Sequence, residues 1–245
     1  MKICLMLHGL GPPPPHVPAG EARYWLPAER FAYILELVRR TRNPVHITID
    51  DGNASDVRIA LPALRDAGLS ASFFIPSDRI GEAGYLGEAD IRELRAAGME
   101  IGSHGCAHIT WTQVPDGTMA EDVTRSVARL SSILGEKVET VAVPFGECDL
   151  RVLRVLRVLG IRRVYTSFRG PCREDAWIVR RNCITADMPE AAIRDLLMKS
   201  HTAIDATAAF LREWKHAGRA SFWPAFSELS ARDRDRDDAA RYRPE

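Results

Sequence analysis

At 245 residues the chain is sized for one large domain or two small ones, and with 46% apolar residues it can bury a core. Its 33 basic residues balance 33 acidic ones, which excludes a global field that would draw it to nucleic acid or an anionic membrane; recognition falls to a local site. The five cysteines are scattered, odd in number and lack a C-x-x-C pair, which argues against a disulfide framework and for reduced thiols in a cytosol-like compartment.

In chain order, Ile3 to His8 reads as a buried strand. The run is too short for a secretory h-region, which needs about seven to fifteen apolar residues. No later segment nears the roughly 18 apolar residues of a membrane span, so no transmembrane segment and a cytoplasmic location are expected. Gly11 to Gly20 is a proline-rich loop, and Phe31, Ile34, Leu35 and Val38 give Pro27 to Arg42 helical spacing. Val45 to Asp50 alternates strictly: Val45, Ile47 and Ile49 face one way, His46, Thr48 and Asp50 the other. Helices are expected over 56–67, 88–97, 119–134, 150–159, 189–198 and 203–217, and strands over 71–75, 99–102, 138–143, 163–167 and 176–179. The glycines Gly68 and Gly98 stop two of these helices. After Pro224 the chain turns polar, so the expected organisation is a domain over 1–225 and a charged tail over 226–245.

Strands alternating with helices at this spacing imply a parallel sheet, either open and doubly wound or closed into a barrel. No G-x-G-x-x-G follows the early strands, which disfavours a dinucleotide-binding sheet. Both architectures put chemistry at the C-terminal ends of strands. Three segments lie there. T-I-D-D-G-N (48–53) carries two adjacent carboxylates, Asp50 and Asp51, able to take different roles in one site, or simply forms a turn. G-S-H-G-C-A-H (102–108) spaces His104 and His108 four apart, close enough to share a metal if the segment makes one helical turn, with surface or packing histidines as the plainer reading. Cys106 between them reads as a small buried filler rather than a ligand. V-A-V-P-F-G (141–146) can hold a backbone N–H at a strand end, or merely turn the chain. Together they offer two histidines and a carboxylate for a divalent ion with open positions, and a second aspartate free to act as a base.

The three segments resemble the motifs of the polysaccharide deacetylase family, carbohydrate esterase family 4. T-I-D-D-G matches the first motif, T-F-D-D-G; H-G-C-A-H matches the second, H-(S/T)-x-x-H, with Gly105 at the hydroxyl position; A-V-P-F-G resembles the third, R-x-P-(Y/F), with Ala142 for arginine. The likeness runs from about Thr48 to Gly146, more thinly to about Ile184. It implies a distorted (β/α) barrel of about seven parallel strands and removal of N-acetyl groups from an amino sugar in a polysaccharide, oligosaccharide or glycolipid precursor. It also implies Asp50 as general base, Asp51, His104 and His108 as ligands of a divalent metal, usually Zn2+, and the backbone N–H of Phe145 as an oxyanion donor.

Two departures bear on the mechanism. The motif-three arginine normally orients the base; with Ala142 there, Arg180 or Arg181 becomes the candidate substitute, a surface arginine being the alternative. The family's late Leu-x-His motif supplies a general acid, yet His201 and His216 fall in helix-like segments. His8 does end an apolar strand, and because a barrel is circular a first strand can stand in for a last, so His8 is the expected acid in a permuted motif order. Trp111, Trp25 and His46 read as packing or structural residues. The expected partner is a glycan or amino sugar, with no nucleic acid. The rival readings are hydrolysis of a non-sugar amide or imide on the same barrel, and a catalytically silent glycan-binding relative.

Overall fold

The computed structural model describes residues 1–201 apart from His16, Pro18 and Ala19. The expected helix over 203–217, His216 and the charged tail lie outside the described residues.

Strand and helix alternate as β1 (Ile3–Leu7), α1 (Ala28–Arg40), β2 (Val45–Asp50), α2 (Leu61–Ala67), β3 (Ala71–Ile75), α3 (Glu88–Ala96), β4 (Glu100–Ser103), α4 (Asp116–Leu134), β5 (Thr140–Ala142), α5 (Leu150–Val158) and β6 (Arg163–Thr166). They end in β7 (Ile178–Arg180), β8 (Asn182–Cys183) and α6 (Glu190–Met198). The strands form one parallel sheet in the order β7-β6-β5-β4-β3-β2-β1-β8. Its outer members, β7 and β8, are separated in the chain by Arg181 alone, so the polypeptide steps from one edge of the sheet to the other at that residue and nearly closes the barrel. Eight short strands, the last two forming one split strand, stand where about seven were expected.

The alternation in β2 shows how the layers arise. Ile47 and Ile49 join the cluster under the surrounding helices, with Phe31, Ile34 and Leu64, while Thr48 and Asp50 turn into the barrel. A second cluster under α4 and α5 holds Val123, Val152, Leu153 and Leu156. The barrel interior is small and mixed, with Cys4, Phe74, Ala142, Tyr165 and Val179 at its centre. Burial of these stripes, at roughly 25 cal/mol per Å² of apolar surface, is the main force holding helices to sheet.

Two expectations change on folding. The segment 56–67 is not one helix: Asp56–Ala60 is a wider π-turn that runs into α2. β8 was not foreseen, because two residues leave no periodicity to read. No helix among the described residues is long and apolar enough to cross a membrane.

Candidate active site

The C-terminal ends of the strands open on a cavity of about 560 Å³. Its walls include His8, Tyr24, Trp25, Asp50, Asp51, Arg79, Tyr85, His104, His108, Phe145 and Arg169. All six residues expected at the site thus share one cavity.

Asp50, the last residue of β2, is 1% exposed and Arg181 is fully buried. Arg181 Nη1 donates to Asp50 Oδ1 at 2.7 Å and to Thr48 Oγ1 at 3.2 Å, and its Nε donates to the Thr166 carbonyl at 3.1 Å. The guanidinium also lies over the Phe74 ring, 5.6 Å from its centroid. Arg181 therefore meets Asp50 from the barrel seam between β7 and β8. Burial pushes the Asp50 carboxyl up, but the Arg181 charge, His104 and the Arg181 hydrogen bond outweigh it and hold the group below the ordinary carboxylate range. Asp50 is ionised at neutral pH.

Asp51, His104 and His108 bring one ligand atom each to within 4.8 Å of one another. Asp51 Oδ1 lies 3.9 Å from His104 Nε2 and 3.3 Å from His108 Nε2. Burial lowers the basicity of both imidazoles, that of His108 to about 3, so both are neutral at pH 7 and offer lone pairs. His104 Nδ1 lies 2.9 Å from the Ala142 carbonyl; a carbonyl accepts only, so Nδ1 carries the proton and the lone pair is left on Nε2. Two imidazoles and a carboxylate at this spacing fit a divalent ion.

The imidazoles are brought together by a loop, not by the helical turn anticipated for them. Gly105 (φ 74°) and His108 (φ 53°) both take left-handed conformations. Asp122 in α4 anchors the loop, its two oxygens accepting from Ala107 N–H and from Trp111 Nε1, each at 3.0 Å. A Cβ on Gly105 would lie 2.4 Å from Asp122 Oδ2, so this carboxylate excludes the usual hydroxyl residue. Trp111 is fully buried, and Cys106 is buried with Ser77 Oγ donating to its sulfur. Asp51 (φ 80°), His108 and Phe145 (φ 56°) are the non-glycine residues with positive φ among the described residues, and all three line this cavity. Each such conformation costs on the order of 1–3 kcal/mol and persists where the surroundings impose it.

Register places the remaining parts. Leu7 pairs with Ile49, which sets the next residue, His8, level with Asp50. The His8 ring packs on Tyr24, with centroids 4.9 Å apart, and its buried Nδ1 has no hydrogen-bond partner among the described residues. Trp25 packs so closely on Gly9 that a Cβ there would sit 2.2 Å from the indole, and it also lines the cavity. Phe145 is 57% exposed and its ring lies 4.5 Å from that of His108. His46 lies 2.9 Å from Ser72 Oγ, a structural contact, and His201 contacts the Leu196 carbonyl at the end of α6. Neither His46 nor His201 lines the cavity.

Arg79 and Asp122 are among the residues of the site that escaped the sequence reading. Arg79, four residues past the end of β3 in the loop that follows it, had a weak positional signal, since the other site residues also follow strand ends. Asp122 interrupts the apolar stripe Met119, Val123, Leu130 of α4, and a buried acid on such a stripe is itself a signal.

Fold and site together define a parallel α/β barrel with an aspartate pair and, at its mouth, two histidines and a carboxylate that could hold a metal ion. The model of the family described as polysaccharide deacetylase matches residues 38–164, just over half of the chain, and the chain belongs to that family. It is 22% identical over 149 residues to "Putative polysaccharide deacetylase YxkH" of Bacillus subtilis (strain 168), a stretch covering 61% of this chain and 53% of that one. The chain thus spans about half the length of this curated relative. The structure resembles the deacetylase PplD of Streptococcus pyogenes in complex with acetate (TM-score 0.72, 16% identity, 81% of this chain and 98% of that one). It also resembles IcaB from Ammonifex degensii (TM-score 0.65, 24% identity, 76% and 94%). At these identities the likenesses to solved structures are likenesses of fold.

Proposed function

We propose that this chain is a metal-dependent hydrolase that removes N-acetyl groups from an amino sugar in a polysaccharide, oligosaccharide or glycolipid precursor. The observation that carries this reading is the buried Asp50, paired with Arg181, beside Asp51, His104 and His108 in one cavity. A divalent ion held by those three residues, zinc by the chemistry of the donor set, would supply Lewis acidity and an acidified water.

The protein's own groups carry the remaining steps. Asp50, kept charged and fixed in direction by Arg181, takes a proton from the water that attacks the acetamide carbonyl. The backbone N–H of Phe145 meets the developing oxyanion. His8, level with Asp50 across the β1–β2 pair, returns a proton to the departing amine. The aromatic walls, Tyr24, Trp25, Tyr85 and Phe145, suit the apolar faces of sugar rings.

Metal analysis together with acetate release from N-acetylglucosamine oligomers tests the reading. Bound zinc and released acetate support it. Bound zinc without acetate from any glycan points to the amide-hydrolase alternative, and neither metal nor turnover to a glycan-binding relative. His104→Ala should lose zinc, read as metal content after dialysis, because the fixed Nε2 ligand is gone. His8→Ala should slow turnover about a hundredfold, the usual scale of an acid–base contribution, at unchanged zinc content. Parent-like activity in His8→Ala would remove His8 from the mechanism.

A further inference from the structure

We propose that Arg79 is a positioning residue that weakens the hold of Asp51 and His108 on the divalent ion and so leaves that ion more electrophilic. This rests on the metal-site reading above and adds a residue that acts through the ligands.

Arg79 is held in place. The short turn Ser77–Arg79 is bolted to the histidine loop: Ser77 N–H donates to the Gly105 carbonyl at 2.9 Å and Asp78 N–H to the Cys106 carbonyl at 3.1 Å. Arg129 of α4 grips the same turn, donating to the Ser77 carbonyl at 2.8 Å and the Ile80 carbonyl at 3.4 Å. From this base the guanidinium lies over the Tyr85 ring, 5.1 Å from its centroid. It puts Nη1 3.4 Å from Asp51 Oδ1 and Nη2 3.3 Å from His108 Nδ1.

The two histidines therefore have outer partners of opposite kind. His104 faces a carbonyl, an acceptor, which leaves Nε2 free to ligate. His108 faces a guanidinium, which has donors only. A neutral imidazole satisfying that contact accepts at Nδ1 and carries its proton on Nε2, where the proton points to Asp51 Oδ1 at 3.3 Å. That tautomer cannot ligate through Nε2. Ligation requires the proton to move to Nδ1 and the contact with Arg79 to be given up. The same guanidinium also offsets the charge of Asp51, the anionic member of the ligand set. Both effects act in one direction: they loosen the ion and leave it more net positive charge to polarise a carbonyl or acidify water.

Zinc affinity of the full chain, measured by competition with a chromophoric chelator, tests this. Arg79→Gln should bind zinc more tightly, by about 10- to 100-fold, the scale on which outer partners move metal affinity. Arg79→Lys keeps the charge and should fall back towards the parent, which a packing role would not produce. Equal or weaker zinc binding in a folded Arg79→Gln overturns the proposal. Long-range nitrogen–proton spectra of the metal-free parent give a second test: the His108 proton belongs on Nε2 and the His104 proton on Nδ1, and a His108 proton on Nδ1 overturns the proposal. A tighter Arg79→Gln with no acetate released by any form would sink the deacetylase reading and leave the role of Arg79 standing. Failure of every form to bind zinc would sink both.

Discussion

Asp50→Asn is expected to lower kcat by about 10³-fold or more while zinc content stays at the parent level, within the range general-base removal usually spans. The amide has nearly the shape of the carboxylate but cannot take up the proton. Asp50 is not among the three convergent ligand atoms, so metal should be retained. The substitution also strips the buried Arg181 of its counter-charge, and an unpaired buried charge is strongly destabilising. Thermal unfolding of Asp50→Asn should therefore occur at lower temperature, and the double variant Asp50→Asn/Arg181→Met should recover part of that loss without recovering turnover. Acetate release, zinc content and melting together separate the chemical loss from the structural one. Turnover within tenfold of the parent in a folded, zinc-loaded Asp50→Asn would take the base role away from this residue.

The pairing of Asp50 with Arg181 also marks where sequence reading stops. Val45–Asp50 and Ala71–Ile75 are strands with the expected bounds, the first because apolar and polar residues alternate at period two, the second because a short apolar, aromatic run lies between clear breaks. The aspartates and histidines are legible for a related reason: parallel strands all deliver their C-terminal residues to one mouth. What joins distant segments is not periodic. Arg181 is 131 residues from Asp50, and an arginine in a short, irregular segment gives no local sign of turning inward. Between Arg180 and Arg181 the choice is made by parity at the seam, where β7 leaves one edge and β8 joins the other. The histidine loop is hidden in the same way. Its shape depends on Asp122, 15 residues from Ala107 on a different element, and on left-handed backbone at His108, which no helical spacing rule anticipates.

Arg181→Met should be strongly destabilising, and its pH dependence should have a definite sign. In the parent, Asp50 is held below its ordinary value in the folded state. The pair therefore contributes its full stability above the unfolded carboxylate value of roughly 3.9, and that contribution is lost only as pH falls through the lower folded value. Without the guanidinium, the burial that pushes the Asp50 carboxyl up loses its main opposition, and the folded value moves above the unfolded one. The slope then reverses: the folded variant prefers the protonated acid, and its stability declines as pH rises from about 4 towards neutrality. Removing one partner of a buried pair costs about 3–5 kcal/mol. Denaturant unfolding of the metal-free proteins should show a deficit of that size at pH 7 and a clearly smaller one near pH 4.5. The acid limb of kcat/KM should move to higher pH in the same variant, because the base now holds its proton longer. An equal deficit at both pH values, with an unmoved acid limb, would mean that Arg181 fills space at the seam and does not hold the charge on Asp50.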